Sequence, residues 1–174
     1  MKSASSRTRS DGNEEQETVE FSWIVENEIA VGPRPGLALQ RLRELGFKHD
    51  IDLNADPEEA DEALRVGLNY HPLDVRGTDS LQVWLANLDL AIRIIDGAHE
   101  RKEPVYLHCT YGKGRSPTFV MAYLISQGHS FEEALQLVSS KHPDVWSPGD
   151  STSQYTKILE AYAKLRGRLA KASG

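Results

Sequence analysis

The chain holds a single cysteine, Cys109, so no disulfide can close within it and no metal site can be built from clustered thiolates. Cysteine used this sparingly fits a reducing compartment. No apolar run approaches the length of a membrane span, and the N-terminal residues carry no apolar core of a secretory signal. These absences lead to the expectation of a soluble, cytoplasmic, monomeric protein without stable membrane insertion. Positive charge is scarce too: 20 Lys and Arg face 26 Asp and Glu, for a net charge of −6 and a pI near 5.5. That balance argues against nucleic-acid binding and leaves room only for a local positive pocket. There is no internal repeat, and 174 residues suffice for one α/β domain but not for two comfortable ones.

Residues 1–18 have almost no apolar side chains and end in the acidic cluster Glu14-Glu15-Gln16-Glu17. Such a segment cannot bury enough surface to offset ordering entropy, so it reads as a disordered tail before a domain over 19–170. Val19–Val25 and Glu28–Val31 read as a hairpin turning at Glu26-Asn27. Leu37, Leu39, Leu42 and Leu45 predict a helix closed by Gly46. A strand follows at His49–Leu53, then a helix from Asp56-Pro57-Glu58-Glu59 to about Val66, then a strand at Leu68–Leu73. Asp79-Ser80-Leu81-Gln82 reads as a capping box for a helix whose apolar residues Leu81, Trp84, Leu85, Leu88, Ile92 and Ile95 share one face, with Gly97 as its expected end. Ser130-Phe131-Glu132-Glu133 is a second capping box. His142–Asp150 reads as a long loop bordering the pocket, and Ser151-Thr152-Ser153-Gln154 as the cap of a last amphipathic helix. Strands alternating with helices predict a single α/β domain with a central, mainly parallel (mixed) sheet of about five strands flanked by helices.

One stretch carries chemistry. His108-Cys109-Thr110-Tyr111-Gly112-Lys113-Gly114-Arg115-Ser116 lies between the strand-like Pro104–Leu107 and the apolar run Phe119–Ile125. Strand, tight loop and helix form an anion cradle: Gly112 and Gly114 let the backbone curl so that N–H groups turn inward, and the helix adds its positive end. Thr110, Tyr111, Gly112, Lys113, Gly114 and Arg115 are the expected phosphate-binding residues, with Arg115 offering a two-pronged donor to two phosphate oxygens. The same field favours a thiolate, so Cys109 is expected to be ionised and placed as an in-line nucleophile beneath the phosphate. Ser116 can donate to the sulfur and improve it as a leaving group. No metal or cofactor is required, because backbone dipoles and Arg115 supply the charge stabilisation. The nucleotide-binding loop Gly-x4-Gly-Lys-Ser/Thr is excluded, since Lys113 precedes Gly114.

His-Cys-x5-Arg-Ser resembles the signature of the cysteine-dependent protein tyrosine phosphatase superfamily, and the short chain resembles its dual-specificity branch. The resemblance implies a phosphatase-like fold over roughly residues 20 to 165 and hydrolysis of phosphate monoesters through a phosphocysteine. It also implies an aspartate, on a loop after a strand, that protonates the leaving oxygen. Asp74 and Asp79 both meet that description; Asp79 already has a task in the capping box, so Asp74 is assigned as general acid with Asp79 in reserve. His108 is expected to point into the strand layer, where its hydrogen bonds order the loop. Phosphorylated Tyr, Ser and Thr of proteins are the substrates that the branch implies. Gly-Lys-Gly-Arg, however, is similar to the loop of the phosphoinositide phosphatases, and the Asp74–Leu81 spacing to that of the phosphatidylglycerophosphate phosphatases, so a phospholipid or inositol phosphate is the alternative. The chain departs from the phosphoinositide pattern at Thr110, where a second basic residue is expected. A non-catalytic phosphate-binding module is the alternative of another class; it would need neither thiolate nor acid.

Overall fold

The computed structural model describes residues 18–36, 38–145 and 153–172. The expected disordered tail, most of the His142–Asp150 loop and the start of the last helix's cap lie outside them.

Among the described residues, five strands and six helices follow one another: β1 (Ser22–Val25), β2 (Ile29–Gly32), α1 (Leu39–Glu44), β3 (His49–Asp52), α2 (Pro57–Val66), β4 (Asn69–Pro72), α3 (Leu81–Glu100), β5 (Val105–His108), α4 (Arg115–Ser126), α5 (Phe131–Lys141) and α6 (Gln154–Ala172). The strands form one sheet in the order β1-β2-β5-β3-β4. Only the β1–β2 hairpin is antiparallel; β2–β5, β5–β3 and β3–β4 are parallel. The expected mixed, mainly parallel five-stranded sheet is therefore present. Its tight turn is made by Asn27, in the left-handed region at φ 59°.

β5 lies at the centre, buried on both faces, as a parallel strand between two neighbours must be. On one face α3, α4, α5 and α6 cover a core that includes Trp84, Leu88, Phe119, Leu107, Val138 and Tyr162. On the other, α1 and α2 cover a smaller cluster of Leu39, Leu42, Phe47, Ala63 and Tyr106. α4 is buried almost all round, which accounts for its apolar sequence from Pro117 to Ile125.

Capping follows side-chain chemistry. Asp56 accepts from the Glu58 N–H with Pro57 in the first turn of α2, and Ser130 and Glu133 form the expected capping box on α5. Two expectations are corrected. The N-cap of α3 is Ser80, whose hydroxyl accepts from Val83 N–H at 3.3 Å, and not Asp79. The Asp79 carboxylate turns back to accept from Arg76 N–H at 2.7 Å, closing the turn before the helix. Nor does Gly97 end α3, which continues to Glu100 because Ala98 extends the buried stripe of Ile92 and Ile95 past it. The roughly 1 kcal/mol that an interior glycine costs is smaller than that burial returns.

Trp84 is fully buried and its indole N–H donates to the Arg76 carbonyl at 3.1 Å, tying the loop after β4 to α3. Replacing it by Phe removes the tie from α3 and leaves that carbonyl only the Asp79 backbone N–H, at 3.1 Å. Trp84→Phe should lower the melting temperature by roughly 2–8 °C, from a penalty of about 1–2 kcal/mol, as read by thermal unfolding.

Candidate active site

The parallel strands point their carboxyl ends the same way, so the segments that follow β2, β3, β4 and β5 gather at one edge. Cys109 follows β5 directly and is buried at the floor of the loop that leads into α4. Gly112 takes φ +70°, and a Cβ on it would come within 2.4 Å of the Gly32 carbonyl carbon. The loop thus rests on the end of β2, and only glycine allows the approach. A Cβ on Gly114 would meet the Tyr155 ring at 2.9 Å, so α6 packs against the loop from the other side. Ser116 is fully buried with Oγ 3.5 Å from Cys109 Sγ.

Burial pushes the Cys109 thiol up, but it is outweighed by the Ser116 hydroxyl, the backbone N–H groups of Ser116 and Gly112, and the Arg115 charge. The net result is a thiol more acidic than usual. The direction is the one that the loop's dipoles and Arg115 were expected to give. Thr110, Tyr111 and Lys113 are exposed on the loop, with Tyr111 75 % exposed.

Arg115 is not idle. Its Nη1 donates to the Leu53 carbonyl at 3.1 Å and the Val75 carbonyl at 2.8 Å; its Nη2 donates to Asn54 Oδ1 at 2.8 Å and Thr110 Oγ1 at 3.0 Å. Four of the five guanidinium N–H bonds are therefore engaged within the protein, and Nε–H is the one with no partner among the described residues. A two-pronged grip on phosphate requires Nη2 to exchange Thr110 or Asn54 for a phosphate oxygen. Asn54 is a site residue that the sequence reading missed. It is presented by a turn in which the Asp52 carboxylate accepts from Asn54 N–H at 2.7 Å, Asp56 N–H at 2.8 Å and the Tyr70 hydroxyl at 2.8 Å. An Asp two residues before Asn54 is the ordinary signal of such a turn.

Asp74 lies in the loop after β4, its side chain 59 % exposed and Oδ1 3.5 Å from Arg76 Nε. Its neighbour Val75 supplies the carbonyl that receives Arg115, so the loop carrying Asp74 is joined to the phosphate loop. The Asp79 carboxylate is occupied with Arg76 N–H instead.

His108 points into the layer between the sheet and α2, as expected, and its partners there are buried carboxylates. Its Nε2 is 2.6 Å from Glu59 and 3.1 Å from Asp50, with Asp52 3.8 Å from Nδ1, and all four side chains are buried. Burial pulls the imidazole down, but Asp50 and Glu59 together push it up to about 10. Burial likewise raises the Glu59 carboxyl, against the pull of His108. Glu59 also reaches Arg34 at 3.3 Å, and Arg34 pairs in turn with Asp56. A separate cleft of about 460 Å³, lined by residues such as Glu28, Ile29, Ile95 and Val105, lies at the amino ends of β2 and β5, away from Cys109.

Residues 29–163 match the family described as dual specificity phosphatase, catalytic domain, and the chain belongs to that family. It is 43 % identical over 73 residues to dual specificity protein phosphatase 1 of Arabidopsis thaliana, covering 41 % of this chain and 36 % of that protein. It is 34 % identical over 80 residues to the Arabidopsis thaliana protein-tyrosine-phosphatase IBR5, covering 45 % of this chain and 28 % of that protein. These matches span about a third or less of each relative. The fold is that of the solved PTPMT1 structure, with a TM-score of 0.70 at 23 % identity over 87 % of this chain and 99 % of that one. A mouse putative dual specificity phosphatase solved with zinc tungstate gives a TM-score of 0.70 at 20 % identity, over 92 % of this chain and 97 % of that one.

Two measurements test these electrostatics. The rate of Cys109 alkylation by iodoacetate should rise with pH around a midpoint below that of a free thiol, and Ser116→Ala should move the midpoint up. His108 is raised above its unfolded value of 6.5, so the stability it contributes is full below about pH 6.5 and lost as pH rises through about 10. The difference in melting temperature between the parent and His108→Gln should therefore shrink across that window.

Proposed function

We propose that this chain is a cysteine-dependent phosphatase that hydrolyses phosphate monoesters through a phosphocysteine intermediate, with phosphorylated Tyr, Ser and Thr of proteins as its substrates. The observation that carries the reading is the acidified Cys109 thiol at the floor of a glycine loop, with the Ser116 hydroxyl 3.5 Å from its sulfur. Cys109 thiolate attacks phosphorus from below. The S–P bond forms as the P–O bond to the leaving group breaks, and Asp74 gives that oxygen its proton. Loop N–H groups and Arg115 hold the three equatorial oxygens. Water then attacks the phosphocysteine, Asp74 takes its proton, and inorganic phosphate leaves as Ser116 Oγ–H stabilises the returning thiolate.

Lys113, exposed on the loop, favours a second reading. An additional cation beside the cradle suits a substrate with more than one phosphate. The PTPMT1 neighbour has been solved with PI(5)P, which makes a phosphoinositide the natural comparison.

The test is phosphate release from phosphotyrosine and phosphothreonine peptides beside soluble PI(5)P. Faster release from the peptides is expected; a preference for PI(5)P would move the assignment to the lipid. Cys109→Ser should abolish turnover while retaining phosphate-ester binding, and turnover equal to the parent's would sink the covalent mechanism. Asp74→Asn should lower kcat by about 10²–10⁴-fold, whereas Asp79→Asn should stay within a few-fold of the parent.

A further inference from the structure

His142 follows the last residue of α5, and its side chain reaches two other elements. Nε2 stands 2.8 Å from the Gly112 carbonyl oxygen and Nδ1 stands 2.9 Å from Ser22 Oγ on β1. A carbonyl only accepts, so Nε2 carries a proton; Nδ1 of the neutral ring then accepts from the Ser22 hydroxyl. The preceding Lys141 donates from Nζ to the Ile24 carbonyl at 2.9 Å, so two consecutive side chains fasten the end of α5 to the edge strand. The imidazole is half-buried against the turn of the phosphate loop and has no part in the cleavage steps above.

We propose that His142 is a positioning residue for the oxyanion cradle, acting through the Gly112 carbonyl. The peptide joining Gly112 to Lys113 is planar and trans, so its C=O and N–H point to opposite sides. Holding the carbonyl outward on His142 turns the Lys113 N–H inward, toward the space above Cys109 Sγ where a phosphoryl oxygen sits. Gly112, at φ +70°, has no side chain of its own to fix that plane. Rotated the other way, the carbonyl oxygen would face a dianion and oppose its binding. Ser22 sets the ring's orientation and tautomer. The effect falls on oxyanion affinity, and the inference rests on the reading of the 109–115 loop as the phosphate site.

The experiment is calorimetric titration of the full chain with tungstate, an oxyanion whose binding needs no proton transfer, beside KM and kcat for an aryl phosphate. His142→Leu removes the donor and should weaken tungstate about tenfold, raise KM similarly and leave kcat within about threefold. His142→Gln, whose amide nitrogen replaces the Nε2–H, should stay within about twofold of the parent. The inference fails if the Leu variant binds tungstate like the parent. It fails equally if the Gln variant loses as much as the Leu variant while melting at the parent's temperature. Should the Leu variant not fold, Ser22→Ala decides beside the Gln variant: tungstate weakened by about threefold or more in Ser22→Ala alone supports the role, and any other pairing overturns it. A parent that takes up no tungstate would overturn the phosphate-site reading and this inference with it.

Discussion

One guanidinium holds the carboxyl-end edge of the sheet together. Through Arg115 the end of β3, the loop after β4 and the loop after β5 are joined by four hydrogen bonds, each from a charged donor and so stronger than a neutral one. Backbone carbonyls at Leu53 and Val75 that would otherwise need solvent are satisfied by the group that the chemistry needs for phosphate. Structure and ligand therefore compete for the same donors. The Nη1 pair can stay with the carbonyls as scaffold while Nη2, bound to Asn54 and the Thr110 hydroxyl, is the exchangeable half. In the proposed mechanism a substrate phosphate would replace neutral acceptors with an anionic one, which would favour the exchange.

Behind the loop lies a more costly arrangement. Taking His108, Asp50 and Glu59 out of water costs several kcal/mol per ion in general, and their mutual attraction offsets it only while all are present. The cluster does not by itself explain the acidity of the neighbouring thiol, because its carboxylates outnumber its imidazolium. Local groups account for that acidity: the Ser116 hydroxyl, two backbone N–H groups and Arg115. The buried charges instead bind β5 to β3 and α2, and through Glu59 to Arg34, whose N–H donates to the Thr110 carbonyl at 3.3 Å.

The order of elements and the glycine loop after β5 were legible because each has a local cause: Pro57 and Asp56 start a helix, Gly112 lets a loop curl, and alternating strands and helices imply parallel pairing. The same local logic failed at Asp79, where two adjacent residues can each cap a helix and only the turn geometry chooses Ser80. It failed at Gly97, where a tertiary stripe overrides propensity. Asn54 escaped notice, and His142 was read only as the start of a loop bordering the pocket, for another reason. Their partners lie 61 and 30 residues away, and the pairing exists only once β5 is inserted beside β3 and α5 is docked on β1. His108 was placed correctly in the interior, but nothing near it in the chain announces the carboxylates of β3 and α2.

The strand order carries a consequence for how the protein comes into being. β5 occupies the slot between β2 and β3, yet it emerges from the ribosome after both, with β4 and α3 intervening. The centre of the sheet is therefore filled late, and until then β2 and β3 have no common neighbour. Such long-range closure is slow relative to local helix formation. The acidity of Cys109 is assembled by that same closure, since Ser116, Gly112 and Arg115 surround the sulfur only when the loop is seated. Before that closure the chain carries an ordinary thiol, and its lowered pKa arrives together with the loop that buries it.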